Sequence, residues 1–382
     1  MFKRTVIAAA VTMAVSGPVS ALDFGQNIEA LAKAQSEPLF GVAKPIGTSS
    51  SVSLTAGEAE TNPLKLITVA RGLKKALISA KANLGKDPDM MVFWPNDKNP
   101  THIIVCNEDS GPVGAGGLQR VHLKNGKVEN IIASPLHSCN PVEITPWGTI
   151  IAGEEAGARG RMFEILDPLN TTEVTVLDGA AASTTTSDPA HVRALPALGQ
   201  LSFEGISVIP NGVVYYQDEN RPSAIDNGGA YFKFIPSKLW TGSTPITNLD
   251  DSPLSSGRVF GLRLGRNSGN TDIGAANHVG RGNWVEITDG QFGGPSNPPA
   301  PAVAPVVGRD NLRAAATALK LTSGYRPEDQ DIDKGALSQG NVRVCGTNTG
   351  QDASTASPNG DNNFGETFCI TDGTHEARRS LG

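Results

Sequence analysis

The sequence predicts an all-β protein, a sandwich or, preferably, a propeller. Three observations carry that prediction. Short apolar runs bounded by turn residues recur from about residue 100 onward. Asn125-Gly126 and Pro210-Asn211-Gly212 stand between such runs, and Asn-Gly there is the strongest short hairpin signal. Gly (43) and Pro (26) are abundant while charged residues are only 18% of the chain, which favours tight turns and short strands over helix bundles. No exact repeat is visible, so the propeller is favoured on strand spacing alone.

The chain opens on a targeting segment. Lys3 and Arg4 form a basic region, Val6 to Val15 a short apolar one, and Val19-Ser20-Ala21 a small-residue cleavage site. Residues 1–21 therefore read as a signal peptide, with the mature chain starting near Leu22. The apolar run is too short to span a bilayer. A twin-arginine pair is absent, which points to the general secretory route and to a periplasmic or secreted protein. Residues 22–382 are expected to form a single propeller-like domain with loop insertions near 180–198, 267–282 and 290–307.

Gln26 to Gln35 has helical spacing, 47–58 reads as a loop, and 65–82 is ambiguous between helix and strand. Asp89 to Pro95 reads as a buried strand ending at a proline. The next strands are predicted at His102–Cys106, Leu118–Leu123, Val128–Ala133, Thr149–Ala152, Arg161–Leu166 and Glu173–Leu177. They continue at Gly205–Ile209, Val213–Gln217, Tyr231–Ile235, Val259–Leu264 and Trp284–Thr288. Leu312 to Leu319 reads as a short helix.

The net charge is −6, and loss of Lys3 and Arg4 makes it more negative. A mild acidic excess argues against nucleic acid as a partner and suits divalent cations. The four cysteines, Cys106, Cys139, Cys345 and Cys369, allow three pairings in an oxidising compartment. Cys345 and Cys369 lie in two strand-like runs that can face each other across a hairpin. Cys106 and Cys139 can pair too, which would remove Cys139 as a metal ligand.

The stretch from His137 to Glu155 concentrates the chemistry. It holds Cys139, a tight Thr145-Pro-Trp-Gly-Thr149 turn, and the adjacent acids Glu154 and Glu155. Further acids stand at strand ends or in adjacent loops: Glu108, Glu204, Asp218, Glu219 and Glu328. In a propeller such loops gather at one end of the channel, and carboxylates brought together there repel unless a cation holds them. Arg326-Pro-Glu328 sets a guanidinium beside a carboxylate, and arginine matches a phosphate oxygen in bidentate geometry. Each of these also has an ordinary reading: a buried tryptophan corner, solvated loop acids, and a surface ion pair. None of the six histidines has zinc-like spacing, and neither a Gly-x-Ser-x-Gly elbow nor a P-loop occurs.

In order along the chain, these pieces resemble the PhoX-type secreted bacterial alkaline phosphatases and their relatives. The resemblance rests on Thr145-Pro-Trp-Gly-Thr149 between Cys139 and Glu154-Glu155, then Phe203-Glu204-Gly205, Tyr215-Tyr-Gln-Asp-Glu219, Gly229-Ala-Tyr-Phe-Lys-Phe-Ile-Pro236 and Tyr325-Arg-Pro-Glu328. It covers roughly residues 90 to 370. It implies a six-bladed β-propeller, with the last blade incomplete here, and a calcium and iron cluster at one end of the channel. Carried over by motif, Cys139 looks like an iron-bridging thiolate. Glu154, Glu155, Glu204, Glu219 and Glu328 look like metal ligands, and Arg326 like the phosphate clamp. The expected function is hydrolysis of small-molecule phosphate monoesters by a monomer with Ca2+, and Fe3+ where the full cluster forms.

Departures from the family pattern bear on the metals. Asn140-Pro-Val-Glu-Ile144 replaces a glycine-rich run, Gly153 replaces a cysteine before the paired acids, and Phe203 replaces a histidine. An alternative therefore stands beside the enzyme: a catalytically weak or inactive calcium-binding propeller that binds a ligand or a protein.

Overall fold

The computed structural model describes residues 30–44, 53–80, 83–108, 116–134, 136–157, 160–177, 186–222, 228–265, 281–287, 312–350 and 364–378. The signal segment 1–21, the 290–307 insertion and most of the 267–282 insertion lie outside these residues, as does the start of the 180–198 insertion. The chain divides into two compact units, Met1–Leu77 and Ile78–Gly382. The first unit holds short helices at Ser36–Phe40 and Ala56–Thr61. A capping box starts the second of them: Thr55 accepts from the Glu58 N–H, and Glu58 accepts from the Thr55 N–H at 2.9 Å. The described part of the ambiguous 65–82 region follows a 3-10 turn, Pro63–Lys65, and forms neither a long helix nor a named strand.

The second unit is built from antiparallel meanders. β1 (Pro88–Trp94), β2 (His102–Asn107), β3 (Leu118–His122) and β4 (Val128–Ser134) form the first. β5 (Cys139–Ile144), β6 (Ile150–Glu154) and β7 (Met162–Ile165) form the second. β8 (Val174–Thr175) turns back to lie parallel to β4, and β9 (Val192–Ala194) pairs with β7. The third sheet holds β10 (Phe203–Val208), β11 (Val214–Asp218), β12 (Gly229–Pro236), β13 (Gly257–Leu264) and β14 (Gly282–Glu286), and β15 (Ser323–Gly324) adds to β12. β16 (Pro327–Ile332), β17 (Val342–Asn348) and β18 (Glu366–Asp372) form the fourth.

The first strands of successive sheets are neighbours: β1 packs beside β5, β5 beside β10, and β10 beside β16. The arrangement is all-β and propeller-like, but it has four sheets among the described residues, where six blades were expected. Short runs such as β8, β9 and β15 extend existing sheets instead of starting new ones. The fourth sheet has three strands.

Apolar side chains fill the spaces between the sheets. Ile104, Leu118, Val142, Ile150 and Phe163 belong to one cluster spanning the first and second sheets. Trp147, Phe203, Tyr216, Phe232 and Phe234 belong to another, spanning the second and third, and Tyr215, Ile235, Val342 and Val344 to a third, spanning the third and fourth. β10, β11 and β12 are buried on both faces, so their sequences lose the apolar–polar alternation of a half-exposed strand. Each large apolar side chain so buried contributes about 1.5–3 kcal/mol.

One register rule recurs in all four sheets. The first residue of the first strand pairs with the last residue of the second: Pro88 with Asn107, Cys139 with Glu154, Phe203 with Asp218, and Pro327 with Asn348. In every case the ladder slips immediately afterwards, between Pro88 and Met91, Cys139 and Val142, Phe203 and Ile206, and Pro327 and Gln330. Such irregular steps re-aim the side chains beside them.

Candidate metal and phosphate site

The four irregular steps carry four equivalent residues. Asp89, Asn140, Glu204 and Glu328 are the second residues of β1, β5, β10 and β16. A second set, Glu108, Glu155, Glu219 and Thr349, directly follows the ends of β2, β6, β11 and β17. The two sets meet. Glu204 lies within electrostatic reach of Glu328, Glu155, Asp89 and Glu219. Glu155 hydrogen-bonds with Glu219, and Glu108 with Asp89. Thr349 donates its hydroxyl to Glu328.

Burial first, and then these like charges, push the acids toward their neutral forms. Glu204 rises to about 11, and Glu155 and Glu108 each to about 7. Glu328 also rises, chiefly from burial, although Thr349 and Arg326 oppose the shift.

Local backbone bonds explain why Glu155 and Glu219 converge. Ser202 forms a β-bridge with Glu155, and its carbonyl accepts from the Glu219 N–H at 2.9 Å. The Glu155 N–H is held in turn by the Ser138 carbonyl at 2.8 Å. Arg326 has a left-handed backbone, φ 55°, which is costly for a residue with a Cβ. Its carbonyl accepts from the Thr349 N–H at 2.9 Å, and the Tyr325 carbonyl from the Gly350 N–H at 3.0 Å. That turn brings the guanidinium to Glu219, through Nε, and to Glu328, 3.5 Å from Nη2.

Two of the predicted ligands stand apart from this arrangement. Glu154 is the last residue of β6, one position before the converging set, and is fully buried. Arg161 grips both its oxygens, Nε to Oε2 at 2.8 Å and Nη2 to Oε1 at 2.9 Å, so its charge is already matched. His137 donates its backbone N–H to the same carboxylate at 3.2 Å. Cys139, expected as a thiolate ligand, is joined to Cys106 in a disulfide, and its sulfur has no thiolate charge to give a metal. Cys345 and Cys369 pair across the β17–β18 hairpin. Glu155, Glu204, Glu219, Glu328 and Arg326 do come together.

The tryptophan corner is structural. Trp147 is fully buried, and its Nε1–H donates to Glu164 at 2.6 Å. Gly148 turns the chain at φ 80°, where a Cβ would come within 2.8 Å of Pro245. Sequence reasoning passed over Asp89 and Asn140. Asp89 sat inside a predicted strand, and Asn140 read as part of a broken glycine run. Their shared signal is position two of an inner strand, which is visible only once the four sheets are aligned.

The acids fit a hard cation in kind, since gathered carboxylates with a buried amide oxygen form an all-oxygen donor set. Among the described residues, no group of three or more His, Cys, Asp or Glu side chains is arranged to hold a metal ion; the carboxyls pair with each other instead. With Cys139 in a disulfide, the thiolate-bound iron site does not fit.

No curated protein matches the chain. Among solved structures, Pseudomonas fluorescens PhoX in complex with vanadate, a transition state analogue, is similar at 13% identity and TM-score 0.47, over 78% of this chain and 65% of that one. The PQQ-bound aldose sugar dehydrogenase of Streptomyces coelicolor is similar at 9% identity and TM-score 0.23, over 77% of this chain and 97% of that one. Neither likeness carries weight at those scores, and the chain spans less than two thirds of the PhoX structure. The family model for alkaline phosphatase PhoX matches residues 105–380, most of the chain, and the protein belongs to the PhoX alkaline phosphatase family.

Proposed function

We propose that this protein is a calcium-dependent phosphatase that hydrolyses small-molecule phosphate monoesters. The observation that carries the reading is the gathering of Glu155, Glu204, Glu219 and Glu328, three of which, Glu155, Glu219 and Glu328, act on one arginine, Arg326. Family membership supports the chemistry. Those four glutamates would hold the cation, which when bound would neutralise the ester oxygens and activate a nucleophile. Arg326 would orient the phosphate, its plane held by Glu219 on one side and Glu328 on the other. Pro327 fixes the step between clamp and ligand. No role is proposed for Cys139 or Glu154 at the metal.

The exported compartment belongs to the same reading. Two disulfides suit an oxidising environment, and no described helix is long and apolar enough to cross a membrane. N-terminal sequencing of the mature protein should start near Leu22, and intact Met1 on cytoplasmic protein would rule export out.

The test of the chemistry is Arg326→Lys, which keeps the charge but loses the planar fork. With calcium supplied, turnover of an aryl phosphate should fall on the order of a hundredfold while calcium content stays at the parent level. Parent-like turnover would refute the clamp. The Cys106–Cys139 bond favours the second reading, a calcium-binding module without turnover. A folded parent chain that binds calcium and hydrolyses no phosphomonoester would establish it.

A further inference from the structure

Three of the four equivalent inner-strand positions carry carboxylates: Asp89, Glu204 and Glu328. The fourth carries Asn140. Its side chain is buried, 3% exposed. Nδ2 donates to Glu204 Oε1 at 2.6 Å, which places the amide among the gathered acids. Among the described residues, Oδ1 has no hydrogen-bond partner. A buried amide oxygen left unpaired costs about 1–3 kcal/mol, so its retention beside like-charged neighbours needs a compensating partner. No donor among the described residues serves it, and each neighbouring carboxyl is an acceptor only once it ionises. A hard cation can: amide carbonyl oxygens are regular calcium ligands alongside carboxylates. The neighbouring Cys139, one residue earlier, is closed in a disulfide and offers no competing thiolate.

We infer that Asn140 is a cation ligand through Oδ1, completing an all-oxygen calcium site with Glu204 and Glu328 from the equivalent strand positions. This rests on the calcium reading proposed above and extends it to a residue that lies outside the motifs. A neutral ligand at the fourth position also limits the repulsion that a further carboxylate would add before the cation arrives.

The test is calcium titration of the metal-free protein by calorimetry, paired with its melting temperature with and without calcium. Asn140→Ala should weaken calcium binding roughly tenfold or more and reduce the calcium-induced rise in melting temperature. Asn140→Asp separates ligation from mere positioning of Glu204. It keeps an oxygen but loses the N–H donor, so a ligand role predicts calcium binding at least as tight as the parent's. Both variants are checked for folding by their metal-free melting transitions. Should the alanine variant fail to fold, the aspartate variant decides alone, and calcium binding lost in it would overturn the proposal. Parent-like calcium affinity in a folded Asn140→Ala would also overturn it, leaving the cation reading intact. If the parent chain takes up no calcium, both readings fall together.

Discussion

Two buried glutamates show how differently this fold treats a carboxyl group. Glu164, in the Trp147 corner, is fully buried, yet three donors serve it: Trp147 Nε1 at 2.6 Å, Thr149 Oγ1 at 2.6 Å and Ser252 Oγ at 2.5 Å. Glu204 is buried almost as deeply, but among the described residues it has one side-chain donor, Asn140, and it faces Glu328, Glu155, Asp89 and Glu219. Burial raises the pKa of both. At Glu164 hydrogen bonds offset the desolvation, so the group ties the second sheet to the loop before β13. At Glu204 the nearby acids add to it, and one hydrogen bond, from Asn140, opposes it. Partners, more than depth, separate these two acids.

The largest effect that would sharpen this contrast is the removal of Glu164. Glu164→Leu strips the acceptor from three buried donors and should cost about 3 kcal/mol of unfolding free energy, measured by urea denaturation. Calcium affinity of the folded fraction should not change. A cost near zero would mean that the corner is not held through this group.

Glu204→Gln should behave in the opposite way. It keeps the shape and removes an acid that is already neutral in the metal-free protein, so metal-free stability should change by less than about 1 kcal/mol. The gain on adding calcium, about 2.7 kcal/mol at a hundredfold excess over Kd, should largely vanish. If calcium stabilises Glu204→Gln as much as the parent, Glu204 is not a ligand and the contrast with Glu164 collapses.

A smaller effect concerns a half-buried acid, away from both. Glu143, in β5, lines a cavity of about 790 Å3 with Met90, Val92 and Ile144. Burial pushes it up to about 7, against a hydrogen bond from the Ile144 N–H and the pull of Lys334. A raised carboxyl binds its proton more tightly in the folded state. Its contribution is therefore complete below the unfolded value, near 4.5, and is lost as pH rises towards 7. Glu143→Gln should flatten the fall in melting temperature across that window. An unchanged pH profile would show that Glu143 is compensated like Glu164.

Much of the fold was legible in the chain. Asn125-Gly126 does separate two strands, β3 and β4, because that pair of residues suits a tight turn. The β10, β11 and β12 runs were found because residues buried on both faces are apolar nearly throughout. Their grouping was less legible: β8 reads only as a strand and β9 lies inside the expected 180–198 loop insertion, and pairing alone shows that both extend existing sheets.

The residues by themselves determined the family and the all-β class, because local motifs and strand spacing are written in consecutive residues. Tertiary structure decided which of two adjacent acids joins the other carboxyls. Glu154 ends a strand and meets Arg161, whereas Glu155, one residue on, turns towards Glu219. It also decided that Cys139 meets Cys106, a partner 33 residues away. It alone aligned Asn140 with Asp89, Glu204 and Glu328, since equivalence between strands is a matter of register in separate sheets, and no local pattern encodes it.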